Sequence, residues 1–259
     1  MKLLTYKTSE LEAHQLGVLK NQLVYNLNNC FGNISLIDLI QITDYKQQVE
    51  AFTSNSNCLT HNIKDITILP AIPKPTSFRD AYAFREHVET ARKNRGLDVI
   101  SEFDQFPIFY FSNHNAMFGN EQEIKLMPDH FHRLDYELEF AIVIGKGGKN
   151  ILSKDADKHI SGFCILNDLS ARELQMEEMK LNLGPSKGKD FANVLGPYLV
   201  TSDELENKSI DTPFGKKYNL EMKCFVNGEL LSEGNAKDMC WTFAEIIERA
   251  SYGVELFPG

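Results

Sequence analysis

Apolar and polar positions alternate along much of this chain, and the alternation predicts strands. The clearest run is Asp135-Tyr136-Glu137-Leu138-Glu139-Phe140-Ala141-Ile142-Val143-Ile144. Side chains on a strand point alternately to opposite faces, so Glu137 and Glu139 share one face with Ala141 and Val143. Leu138, Phe140, Ile142 and Ile144 fall on the other, which reads as core. Further strands are expected at residues 1–7, 63–69, 106–111, 160–166 (running into Asn167-Asp168), 195–200 and 220–226. The last turns at Asn227-Gly228, a strong hairpin signal. Helices are expected over 173–181 and 241–252. A third is predicted over 78–95, opened by Ser77 with Asp80 three positions on and closed by Gly96. The pattern is α+β, dominated by strands, with no internal repeat.

Residues 1 to about 70 form short, turn-rich alternating segments without a His, Cys or carboxylate cluster at ligand spacing. They read as a small β-rich domain. Pro70-Ala71-Ile72-Pro73-Lys74-Pro75 holds three prolines in six residues, which favours a stiff linker. A larger domain is expected over 71–259.

Composition narrows the function classes. The 259-residue chain is 42% hydrophobic and 24% charged, an ordinary globular makeup. A net charge of -9 argues against a nucleic-acid partner. No apolar run reaches the roughly 20 residues of a membrane helix, so no membrane partner is expected. Cys30, Cys58, Cys164, Cys224 and Cys240 are odd in number and show no CxxC spacing. They read as free thiols of a reducing compartment, and a cytoplasmic location is expected.

The paired glutamates bear on chemistry. Two carboxylates side by side on a strand repel each other unless a cation sits between them. Oxygen-only ligands suit Mg²⁺, Mn²⁺ or Ca²⁺ better than zinc. A solvated strand face is the alternative.

Six segments bear on that choice. They are Arg79-Asp80-Ala81-Tyr82-Ala83-Phe84-Arg85-Glu86-His87, Asp135-Tyr136-Glu137-Leu138-Glu139 and Asn167-Asp168-Leu169-Ser170-Ala171-Arg172-Glu173-Leu174-Gln175. Lys187-Gly188-Lys189-Asp190-Phe191, Leu195-Gly196-Pro197-Tyr198-Leu199-Val200-Thr201 and Met239-Cys240-Trp241-Thr242 follow. In this order and spacing they resemble the fumarylacetoacetate hydrolase family from about residue 70 onward.

The resemblance implies a mixed β-roll catalytic domain, commonly preceded by a small β-rich domain, usually homodimeric and binding Mg²⁺ or a similar ion. It implies four metal ligands, Asp80, Glu137, Glu139 and Asp168, of which many smaller relatives keep only the last three. His87 becomes the candidate base. Seven residues from Asp80, it shares a helix face about 10 Å along if the helix is regular, a face that Phe84 and Ala91 continue. Arg172, Gln175 and Lys189 match positions that hold developing oxyanion charge and substrate oxygens, while Asn167 and Ser170 are expected to shape a turn.

The implied reaction is hydrolysis of a carbon–carbon bond in a small acidic diketo acid of fumarylacetoacetate or acylpyruvate type, in aromatic catabolism. The alternatives are a 2-oxo acid decarboxylase, tautomerase or hydratase on the same scaffold, or a non-catalytic metal-holding module. Two departures stand out. Met179 replaces a tyrosine frequent in the family. The family's final strands, with a Gly-Thr segment and a glutamate that orients the histidine, are expected to be missing after Phe257-Pro258-Gly259.

Overall fold

A computed structural model describes residues 1–10, 12–55, 58–93, 96, 98 and 101–259. Its centre is a nine-stranded mixed sheet. Along its main path the strands are Thr60–Asn62, Leu23–Asn26, Gln15–Lys20, Lys2–Lys7, Asn193–Thr201, Ile160–Ala171 and Leu134–Ile144, each antiparallel to the next. Thr67–Ile68 pairs with Lys2–Lys7, and Met117–Phe118 lies parallel to Asn193–Thr201. Among the described residues the sheet does not close into a barrel.

The expected boundary near residue 70 lies within one sheet. Leu3 pairs with Leu199, and a single core cluster joins Leu3, Leu16, Val18 and Leu39 to Val143, Leu166, Leu195 and Leu199. Pro70, Ala71, Ile72 and Pro75 are buried, and the Thr5 hydroxyl donates to the Ala71 carbonyl at 2.9 Å. The proline-rich stretch therefore packs as part of the core instead of spanning solvent.

Both faces of the Leu134–Ile144 strand are covered. Ala141 and Val143 join the cluster just described, while Phe140, Ile142 and Ile144 pack on the opposite side. There Phe140 stacks on Phe163 at 5.1 Å, with Tyr218 and Phe243 edge-on. The Phe243–Ser251 helix closes this side with Phe243, Ala244, Ile247, Ala250 and Ser251 buried. Its start is a capping box: Thr242 Oγ1 accepts from the Glu245 amide, and Glu245 accepts from the Thr242 amide at 2.8 Å. The Asn227-Gly228 hairpin forms as expected, with φ of 52° and 86°.

Two predicted elements differ, and one helix was not predicted. The helix over 78–95 is shortened to Arg85–Lys93 among the described residues, and Arg79–Asp80 instead forms a ribbon with Tyr110–Phe111. The Ser77 hydroxyl expected to cap that helix accepts from Arg79 Nη1 at 2.9 Å. Arg95 and the Ala91 side chain lie outside the described residues. Residues 63–69 break into a turn at Ile63–Asp65 and a two-residue strand, because the Asn62 side chain caps the turn. A helix at Tyr45–Thr53 went unpredicted; its buried residues, Tyr45, Val49 and Thr53, recur only every fourth position. All five cysteines are unpaired, and no described helix is long and apolar enough to cross a membrane.

The shared core has a consequence for unfolding. Leu3→Ala is expected to cost about 2–5 kcal/mol. It should lower the denaturation midpoint read by the single tryptophan, Trp241, which packs against the opposite cluster. A Trp241 transition unmoved by Leu3→Ala would mean that the N-terminal strands unfold separately.

Candidate functional site

Strand register builds the site. Asp168 lies directly opposite Glu137, and Leu166 opposite Glu139, in the pairing of Ile160–Ala171 with Leu134–Ile144. Asp168 and Glu137 therefore form a cross-strand pair on one face, with Glu139 one step along the same face. The ribbon brings Asp80 from the side. One carboxylate oxygen from each of Asp80, Glu137, Glu139 and Asp168 lies within 4.8 Å of the others. Asp80 and Asp168 are buried, and both glutamates are half-buried. Asn167 and Ser170, expected in a turn, instead belong to the strand.

Two cations face this cluster. Buried Lys189 places Nζ 2.8 Å from Glu137 Oε2 and 2.5 Å from Asp168 Oδ2. Arg172, at the start of the Arg172–Met179 helix, donates from Nη2 to Glu137 Oε1 at 2.6 Å and from Nε to Asp135 Oδ2 at 2.7 Å. Its Nη1 donates to Gln175 Oε1 at 3.1 Å. Burial works against the Glu137 anion, but Lys189 and Arg172 hold its carboxyl down to about 2.

The other acids behave oppositely. Burial, with Asp80 and Glu137 nearby, pushes Asp168 up to about 7 against the pull of Lys189. Burial also raises Asp80. Burial and the three neighbouring carboxylates push Glu139 well above the ordinary range. Tyr110, expected within an apolar strand, sits between two of them. Its hydroxyl lies 2.7 Å from Asp80 Oδ2 and 2.9 Å from Asp168 Oδ2. A phenol has one proton to donate, so the second contact needs a proton on a carboxyl. The only sequence signal was a polar tip within Phe109-Tyr110-Phe111.

These residues fit a divalent cation. The donors are all carboxylate oxygens, as hard ions require. Asp168 Oδ1 is buried without a partner, and Glu139 makes no ion pair among the described residues.

His87 is placed differently from expectation. It lies exposed on the Arg85–Lys93 helix, beside buried Val88, with no hydrogen bond or ion pair among the described residues. Because Asp80 is on a strand, the two do not share a helix face. His87, Met179, Asp80, Glu137 and Glu139 nevertheless line one cavity of about 1480 Å³, with Asp168 buried behind its wall.

The shifted carboxyls make metal-free stability depend on pH. Asp168 rises from its ordinary 3.8 to about 7, and Asp80 and Glu139 rise too, so the fold binds more protons than the unfolded chain in that window. Stability is therefore lost as pH rises through it. Glu137, being lowered, loses its contribution only under acid and does not offset the trend. In chelator, the Tm should fall between about pH 5 and about pH 8. Glu139→Gln should raise that Tm at the upper end while weakening Mn²⁺ binding by at least about tenfold in calorimetric titration. A flat or rising metal-free Tm would contradict the charge assignment.

The fold is shared with solved structures. Maleylpyruvate hydrolase from Sphingobium sp. SYK-6, in complex with manganese(II) and pyruvate, superposes with a TM-score of 0.74 at 19% identity, over 100% of this chain and 86% of that one. A fumarylacetoacetate hydrolase from Exiguobacterium antarcticum gives 0.74 at 22%, over 100% of this chain and 83% of that one. By sequence, the oxaloacetate tautomerase YisK of Bacillus subtilis is 29% identical over 203 residues, 77% of this chain and 61% of that protein. The mitochondrial oxaloacetate tautomerase FAHD2A of Homo sapiens is 35% identical over 153 residues, 59% of this chain and 46% of that protein. The matched stretch thus covers less than two thirds of either relative. Residues 76–259 match the fumarylacetoacetate (FAA) hydrolase C-terminal family, to which this chain belongs.

Proposed function

We propose that this chain is a divalent-metal-dependent enzyme acting on a small acidic diketo acid, which it cleaves hydrolytically at a carbon–carbon bond. One observation carries this: four carboxylates converge on one point, three of them in a cavity wall that Lys189 also lines. Asp80, Glu137, Glu139 and Asp168 would hold the ion, expected to be Mg²⁺, with Mn²⁺ or Ca²⁺ also suited to the oxygen set. When bound, such an ion polarises a carbonyl and stabilises enolate charge.

The remaining work falls to the chain's own residues. Lys189 Nζ and the Arg172 guanidinium are cations fixed beside the carboxylates, suited to oxyanion charge that develops on a bound oxo acid. Gln175 is engaged through its carbonyl oxygen, and its amide N–H groups have no partner among the described residues. They are available to a substrate oxygen. His87 would take a proton from the attacking water at an imidazole nitrogen.

Tautomerisation of a 2-oxo acid is the second reading. The curated relatives named oxaloacetate tautomerases favour it, as does an exposed His87 with no orienting partner among the described residues. Keto–enol exchange uses the enolate and needs no activated water.

A substrate panel separates these readings. The protein with Mg²⁺ or Mn²⁺ is offered fumarylacetoacetate, acylpyruvates and oxaloacetate. Hydrolysis is expected, falling by about 10²- to 10⁴-fold in His87→Ala with metal affinity unchanged. Tautomerisation that survives the substitution, with no cleavage by the parent, would select the second reading. Metal binding with no turnover would favour the metal-holding module.

The homodimer belongs to the same proposal. Phe225, Leu230 and Leu231 on the 221–235 hairpin are 58%, 45% and 57% exposed, a patch a second copy would cover. Sedimentation should return two subunits at micromolar concentration; a clean monomer would count against the dimer.

A further inference from the structure

The Arg172–Met179 helix turns a third polar residue in the same direction as Arg172 and Gln175. Positions 172, 175 and 178 are spaced by three, so they lie on one helix face. Glu178 does not reach the carboxylate cluster. Its side chain accepts three backbone amides instead: Lys187 at 2.8 Å on Oε1, and Gly188 at 3.1 Å and Ser186 at 3.2 Å on Oε2. The same turn is held at two other points. The Gly188 carbonyl accepts from the Ala171 amide at 2.9 Å. Gly188 itself presses on the helix so closely that a Cβ there would lie 2.6 Å from the Gln175 nitrogen. The next residue is Lys189, whose ammonium enters between Glu137 and Asp168.

We infer that Glu178 is a positioning residue: its carboxylate clamps the 186–188 turn and thereby sets Lys189 among the four acids. Three consecutive amides are gathered on one anion, and such charge-assisted bonds are the stronger kind. A lysine side chain has four rotatable carbons and a large rotamer entropy, so anchoring its backbone decides where its charge resides. The inference rests on the metal reading of the cluster, because it assigns Lys189 a charge that competes with the ion for Glu137 and Asp168.

The test uses the full chain and two readouts other than turnover. Amide hydrogen exchange should show residues 186–188 losing protection in Glu178→Ala, while Glu178→Gln, which keeps an acceptor oxygen, stays nearer the parent. Mn²⁺ titration then forms a double-mutant cycle. Lys189→Met removes a competing positive charge and should tighten Mn²⁺ binding by about three- to tenfold, the scale on which contacting residues couple. Glu178→Ala should also tighten it, and the double variant should bind no tighter than Lys189→Met alone. General loss of structure would weaken binding, so tightening is a readout that simple destabilisation does not produce. Independent, multiplying effects in the cycle, or unchanged exchange at 186–188, would overturn the clamp. If the parent binds no Mn²⁺, the metal reading fails by itself, and the exchange result still decides whether Glu178 holds the turn.

Discussion

Four carboxylates are held closer together here than their charges favour. Even at 4.8 Å, the widest separation among the four oxygens, two full charges repel by about 3 kcal/mol at an effective dielectric of 20. The chain meets that repulsion with backbone rather than side-chain rigidity. Two strands of 11 and 12 residues pair along almost their whole lengths and set Asp168 against Glu137. Beneath them, Phe140, Phe163, Tyr218 and Phe243 pack edge and face, so the strands cannot splay without opening the core.

The cations and protons around the acids follow from this constraint. Lys189 and Arg172 both engage Glu137, which leaves it the most firmly ionised of the four. Glu139 and Asp80 make no ion pair among the described residues, and burial, with the neighbouring carboxylates, raises their proton affinity. Tyr110 shares its hydroxyl between Asp80 and Asp168 and ties the ribbon to the sheet. A cation binding here replaces protons on an already formed set of oxygens. The same arrangement would suit hydrolysis and tautomerisation alike, since both pass through an enolate. What would separate them is water activation, the role proposed for His87, which is exposed and takes no part in the cluster's hydrogen bonds among the described residues.

The sequence by itself determined the elements whose cause is local. The period-two run from Asp135 to Ile144 had to place Glu137 and Glu139 together, whichever partner it met, because strand geometry alternates side chains. Asn227-Gly228 had to turn, since those residues tolerate positive φ at low cost. The helix at Phe243–Ser251 carried its own cap in Thr242 and Glu245. Arg172, Gln175 and Lys189 were found through resemblance to a family, and their surroundings were not. Tertiary structure decided those. Arg79–Asp80 became a strand rather than a helical turn because Tyr110–Phe111 offered it a ladder, a contact 30 residues away that no local propensity encodes. Residue 70 fell inside one core because Leu3 meets Leu199 across the sheet. The Glu178 clamp needed a helix and a loop to approach to the point where only glycine fits. Local periodicity fixes which way a side chain points, and only packing over long sequence separations fixes what it meets there.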